Sequence, residues 1–132
     1  MKPELQNKLF NDFPLLYGDR KKPPTQSLIC FGIECGDGWY DLIYDLSAKL
    51  EACIRNHIKI NPNDEYYPRA VQVKEKFGGL RFYMTSETDE MSDFIREAET
   101  KSYETCENCG GKGKPNEKGW ISTLCDSCRN NK

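Results

Sequence analysis

RAVQVKEKFGGLRFYMT, residues 69–85, decides how this chain folds. Two runs rich in β-branched and aromatic residues flank Gly78 and Gly79, and a glycine pair between such runs predicts a tight two-residue hairpin turn. With those glycines as the loop, Phe77 faces Leu80, Lys76 faces Arg81, Glu75 faces Phe82, Lys74 faces Tyr83 and Val73 faces Met84. Side chains alternate across a strand, so one face collects Val71, Val73, Glu75, Phe77, Leu80, Phe82 and Met84. The other collects Gln72, Lys74, Lys76, Arg81 and Tyr83. One face is core and the other is cationic. Glu75 is out of place on the apolar face and calls for a cation, Arg69 or Arg96, because an unpaired buried carboxylate is costly.

An apolar sheet face needs a cover, and two amphipathic segments flank the hairpin. Upstream, Trp39, Leu42, Ile43, Leu46, Leu50, Cys53, Ile54 and Ile58 recur at helical intervals and predict a helix over about 39–59, with Asp37 and Asp41 at its start. Downstream, Met91, Phe94, Ile95, Ala98 and Ser102 form the inner side of a second helix over about 88–104. The simplest packing sets both helices against the apolar face and leaves the basic face outward. Near the N-terminus, Leu5, Leu9 and Phe13 mark a short helix over 3–13, which Pro14 and the turn-rich YGDRKKPPTQS end in an exposed loop. LICFGI, residues 28–33, is a strand or a buried approach segment, and periodicity does not decide between them.

The chain has 132 residues and a formal net charge of −2, which suits one modest core and disfavours a general nucleic-acid binder. The charge is segregated. Both helical segments are acidic, whereas 69–85 and the tail are basic, so a local anion-binding patch stays open. No stretch has the length and apolarity of a signal-peptide core or a membrane span, and the expected location is cytoplasmic.

The tail, CENCGGKGKPNEKGWISTLCDSC, places Cys106, Cys109, Cys125 and Cys128 in a C-x2-C-x15-C-x2-C pattern. Two cysteines three apart on a tight turn aim both sulfurs at one ion, and two such turns complete a tetrahedron. Four thiolates favour zinc, and four protein ligands leave no open position, so the expected cofactor is one structural Zn2+. Lys112, Lys114, Lys118 and Arg129 would offset the charge of the tetrathiolate, and Lys112 and Lys114 are also candidates for phosphate contact. Trp120 and Ile121 are expected to cap this ribbon against the body. The resulting expectation is an α+β fold, a small antiparallel sheet packed with two helices over residues 1–104, followed by a zinc ribbon over 105–132.

Other groupings carry weaker chemistry. Lys74, Lys76, Arg81 and Tyr83 suit a nucleic-acid phosphate and base, or a nucleotide or other small anion. Glu34, Asp37 and Asp41 are explained by helix capping, with no nucleophile or base beside them. Cys30, Cys35, Cys53 and His57 offer a second metal site, against the alternative of small buried thiols and a boundary histidine.

FGIECGDGWYDLI, VQVKEKFGGLRFY and the final CENCG…GW…TLCDSC together resemble a family of small bacterial proteins often carried on phage or prophage genomes. The resemblance spans about residues 28–128. The family has no established activity, so the resemblance implies a setting, in the host-cell cytoplasm, and accessory roles such as binding a host factor or countering a defence system. The expectation is a non-catalytic, zinc-stabilised accessory protein that binds a host or defence protein. The alternatives are a nucleic-acid binder using the basic hairpin face, and a binder of a nucleotide or small anion.

Overall fold

A computed structural model describes residues 1–131. Its elements run α1 (Pro3–Asp12), β1 (Ile33–Glu34), α2 (Tyr40–Ile60), β2 (Ala70–Lys76), β3 (Gly79–Met84), α3 (Asp89–Ser102), β4 (Lys114–Pro115), β5 (Thr123–Leu124) and α4 (Asp126–Asn130). Short 3-10 turns at Leu28–Phe31 and Asp37–Trp39 precede β1 and α2. The fold is α+β. No helix among the described residues is long and apolar enough to cross a membrane.

The hairpin forms, but one residue earlier than the glycine pair suggests. Lys76 pairs with Gly79, Glu75 with Leu80, Lys74 with Arg81 and Val73 with Phe82, so the loop is Phe77–Gly78 and not Gly78–Gly79. Both loop residues have positive φ, 53° and 84°, as a type I′ turn requires. A non-glycine residue in that region costs about 1–2 kcal/mol. The turn is braced from both sides: Gly78 N donates to the Glu75 carboxylate at 2.7 Å, and Thr123 Oγ1 donates to Gly78 O at 2.6 Å. Glu75 therefore serves the turn, while Arg69 pairs with Asp19 and Arg96 with Asp93. Each cross-strand partner moves by two positions, and a period of two leaves the faces unchanged. Val73, Leu80 and Phe82 are buried as expected, but Phe77 leaves the core face and stands 69% exposed at the tip. A bulge between Ala70 and Gln72 buries Ala70 in place of Val71.

The sheet is mixed, not purely antiparallel. The LICFGI segment makes a 3-10 turn, passes Gly32 and lays Ile33 and Glu34 parallel to β2, opposite Val73 and Lys74. The strand order is β1-β2-β3. On the far side, α3 covers the open edge of β3: Leu80 N donates to Ser102 Oγ at 2.9 Å and Phe82 N to Glu99 Oε2 at 3.1 Å. A helix whose side chains accept the unpaired strand amides closes an edge that could otherwise pair with another chain. Burial raises the Glu99 pKa above its ordinary value.

The core joins Trp39, Ile43, Leu46, Leu50 and Ile54 of the α2 region to Val73, Leu80 and Phe82 of the sheet and to Met91, Ile95 and Ala98 of α3. Thr88 caps α3, its side chain accepting from Met91 N. The 14–27 segment is not an exposed loop throughout: Leu16, Tyr17, Asp19 and Ser27 are buried. Polar groups from elsewhere make that burial affordable. Glu51 of α2, itself buried, accepts from Leu15 N and Leu16 N, Tyr17 Oη shares a 2.7 Å hydrogen bond with Ser47 Oγ, and Asp19 lies 2.9 Å from Arg69 Nε.

Candidate functional site

The tail brings its four cysteine sulfurs within 4.8 Å of one another, the only such grouping of three or more metal-ligating residues among the described residues. Cys106 and Cys109 lie on a turn that Gly110 closes, with Gly110 N donating to Cys106 O at 2.9 Å. Cys125 caps α4 and accepts from Cys128 N at 3.4 Å. The second pair thus sits at a helix start, its tight turn being the first turn of α4.

The geometry fits a metal ion. Cys109 Sγ and Cys125 Sγ are 3.7 Å apart. A tetrahedron with metal–sulfur bonds of about 2.3 Å has edges of about 3.8 Å. None of the seven cysteines is in a disulfide. Donors converge on the sulfurs: Cys109 N on Cys106, Gly111 N on Cys109, and Asn108 Nδ2 on Cys128. Burial pushes the Cys106 thiol up, but hydrogen bonds from the backbone of Cys109, Cys125 and Asn108 outweigh it and bring the group down to about 6. Cys128 feels the opposite balance. The Asn108 amide lowers it, but sharing protons with the other three sulfurs drives it up to about 12. One sulfur ready to ionise beside others that resist is the repulsion a divalent cation relieves.

The CGDGW segment is the seat on which this cluster rests. Gly38 N donates to Glu107 O at 2.7 Å, Gly36 N to Glu107 Oε2 at 2.8 Å, and Trp39 Nε1 to Thr105 O at 2.8 Å. A Cβ on Gly38 would lie 2.1 Å from Cys106 O, so only glycine permits the approach. Cys106 is consequently fully buried. Asp37 accepts from Lys2 N, and Glu34 from Gln72 Nε2, so these carboxylates serve the fold.

The basic groups fall into a connected arrangement that the sequence only half announces. Lys74 and Arg81 face each other across β2 and β3. Both terminal nitrogens of Arg81 donate to Tyr103 Oη at 3.3 Å, and Tyr103, which follows α3, lies against Gly79 on the same sheet face. Tyr103 in turn lines a groove of about 610 Å3 with Leu42, Lys101, Glu104, Lys112 and Lys114. The hairpin cations and the ribbon lysines are thereby joined through Tyr103, a residue no motif had singled out. Arg129 does not neutralise the cluster; it donates to the carbonyls of Lys114, Ser122 and Leu124 and ties the ribbon strands together.

Two aromatic positions differ from expectation. Ile121 does meet the body, at Gly78, but Trp120 is 86% exposed and caps nothing. It shares a cleft of about 470 Å3 with Phe77, Lys76, Glu75, Gly119 and Ile121. Tyr83 is exposed at the sheet edge away from this cleft's lining.

Cys30, Cys35, Cys53 and His57 do not assemble. Cys30 donates to Ser27 O, Cys53 to Glu90 Oε1 at 3.0 Å, and His57 pairs with Asp64 at 2.7 Å. Burial pushes the Cys35 thiol up to about 12. Comparison of the chain with protein-family models, with curated proteins and with solved structures gives no match.

Proposed function

We propose that this is a non-catalytic binding protein, stabilised by zinc in the four-cysteine site, that holds nucleic acid along the groove between the end of α3 and the ribbon, beside the basic hairpin face. The observation that carries the reading is the position of Tyr103, which lines a groove with Lys101, Lys112, Lys114 and one acid, Glu104, and whose Oη accepts from Arg81 of the basic sheet face. Among the described residues, Lys74, Lys76, Arg81, Lys112 and Lys114 have no carboxylate within ion-pair distance. Some acids of the helices are in a different state: Asp45 pairs with Lys49, Asp93 with Arg96 and Glu97 with Lys101, so each acidic face is neutralised in part from within and Lys101 is shared between Glu97 and the groove. That contrast favours an anionic ligand over a protein partner docked on the acidic helices. A small net charge of −2 is compatible with a local cationic track, because exposed charges beyond about 8 Å are largely screened at physiological salt.

Zinc, when bound, supplies a fixed tetrahedral node and no chemistry on the ligand. The chain's own residues do the binding: lysines and Arg81 meet phosphates, and the buried Cys106 corner fixes the ribbon lysines relative to the sheet. The accessory role implied by the phage-type resemblance is compatible with this reading and adds no residue to it.

Fluorescence anisotropy with labelled oligonucleotides tests it. The logarithm of the binding constant should fall with the logarithm of salt concentration by about 0.7–0.9 per phosphate contacted. Charge reversal at Lys112 and Lys114 together should weaken binding and flatten that slope, with metal content unchanged. Absence of binding at low salt to both single-stranded and duplex nucleic acid would refute the proposal, and a nuclease-resistant protein captured in its place would restore the host-protein reading.

A further inference from the structure

We propose that Phe77 and Trp120 form a clamp for one unpaired nucleobase, which makes the ligand of the basic track a single strand; this rests on the nucleic-acid reading above. Both residues line the 470 Å3 cleft, Phe77 from the hairpin tip and Trp120 from the loop between β4 and β5. They are the most exposed aromatic rings of the hairpin and the ribbon, at 69% and 86%, and neither is paired with another aromatic ring among the described residues. A planar base inserted between two such rings covers apolar surface on both, and every base has a π-face to offer.

The main chain beneath each ring is fixed by hydrogen bonds. Phe77 occupies the first central position of a type I′ turn at φ 53°, where asparagine or glycine would fit without strain. Backbone strain retained at an exposed aromatic is a mark of use rather than of stability. Trp120 is set by Asn116, whose amide donates to Trp120 O at 2.9 Å and Lys118 O at 2.7 Å while its carbonyl accepts from Ser122 N at 2.7 Å. The loop is tied across its base, so the indole is presented and not merely left outside.

The charge around the cleft selects the occupant. Lys76 lines it, with its ammonium 5.7 Å from the centre of the Phe77 ring, and shares a sheet face with Lys74 and Arg81. A base held in the cleft therefore has a cation at its lip and a cationic face beyond, where the strand's phosphates follow. Glu75 also lines the cleft, but its carboxylate is engaged by Gly78 N. A base inside a duplex is already stacked on both faces and paired, so it cannot enter without being extruded. An apolar anchor from a protein would fill the cleft with no need of Lys76.

The chain carries its own reporter. Of the two tryptophans, Trp39 is fully buried with its indole N–H bonded to Thr105 O, so ligand-dependent change in tryptophan emission reports Trp120. The metal-loaded full chain is titrated with oligo(dT) of about a dozen nucleotides, with a duplex of the same length, and with inorganic polyphosphate. The expected result is quenching by oligo(dT), weaker binding of duplex, and binding of polyphosphate without quenching. Trp120→Ala and Phe77→Asn should each weaken oligo(dT) binding about tenfold to a hundredfold, with Trp120→Phe close to the parent. Asparagine is chosen at 77 because it tolerates the turn, so the hairpin survives, and unchanged polyphosphate binding shows that it has. Equal affinity for single strand and duplex, or indifference to both aromatic substitutions, overturns the clamp and leaves the groove reading standing. Binding of polyphosphate but not of oligo(dT) also overturns the clamp and leaves the cleft to an apolar anchor. Binding of none of the three overturns the groove and the clamp together.

Discussion

Replacing Gly38 with alanine tests how the metal-bearing tail is held on the body. The added Cβ would lie 2.1 Å from Cys106 O and 2.6 Å from Glu107 C. Both obstacles are backbone, and a carbon–oxygen contact below about 3 Å is not sustained, so the seam must open by roughly 0.9 Å. Three hydrogen bonds cross that seam, from Gly38 N, Gly36 N and Trp39 Nε1, each between 2.7 and 2.8 Å. At about 0.5–1.5 kcal/mol each, their loss costs about 2–4 kcal/mol. For a chain of this size that is a fall in Tm of about 7–14 °C. Thermal unfolding of the metal-loaded protein, followed through Trp39 emission, measures it, and the rate of metal loss to a chelator should rise in parallel. Gly111→Ala is the control, because its Cβ would meet only Cys109 Sγ at 3.5 Å. If Gly38→Ala melts within about 2 °C of the parent and releases metal no faster, the seam does not hold the ribbon and the account of CGDGW is wrong.

Thiol labelling at pH 8 should separate the cysteines. Burial pushes Cys35 up to about 12, and burial with the Glu90 carboxylate pushes Cys53 up to about 11, so both should alkylate slowly, while chelation adds the four tail thiols to the labelled set by mass spectrometry. Uniform labelling of all seven before chelation would contradict a metal site. Asp19→Ala removes one partner of the ion pair with Arg69, whose side chains are 6% and 12% exposed, and should cost about 3–5 kcal/mol in urea denaturation. Ser102→Ala leaves the buried Leu80 N–H without its acceptor and should cost about 1–3 kcal/mol by the same measurement, with Ser92→Ala near neutral. Two carboxyls are held below the usual carboxylate range: Asp12 by the Tyr44 hydroxyl and then Lys8, Asp64 by the His57 ring and then the Tyr66 N–H. Depressed carboxyls add stability that is present above their unfolded pKa and lost as pH falls through the folded one. Asn at both positions should therefore flatten the acid limb of a stability–pH curve below about pH 4, leaving neutral stability differences constant.

The long periodic segments were legible from sequence because helical spacing leaves little choice: α2 begins and ends within a residue of its expected bounds, and α3 within two. The four tail cysteines were legible because ligand spacing is itself a geometric statement. What escaped notice depended on partners distant in sequence. Nothing local says that Ile33–Glu34 lies parallel to β2, or that Glu51 stays inside to serve the amides of Leu15 and Leu16. The hairpin register was missed because a glycine pair is the stronger local turn signal, and only the brace from Thr123 and Glu75 rewards placing Phe77 in the turn. Of the basic track, the hairpin cations and ribbon lysines were visible separately. Their link was not, since Tyr103 sits at a helix end where a tyrosine carries no pattern.

The seam at Gly36 and Gly38 is built from main-chain atoms, one indole nitrogen and the Glu107 carboxylate. Such a joint asks little of the ribbon's own side chains beyond the four cysteines, Glu107 and Thr123. The side chains of residues 117–120 are thereby released from architectural duty, much as a hypervariable loop is released by its framework. Substitutions at those side chains would change the surface of the ribbon while the joint, and with it the shape of the molecule, stays the same.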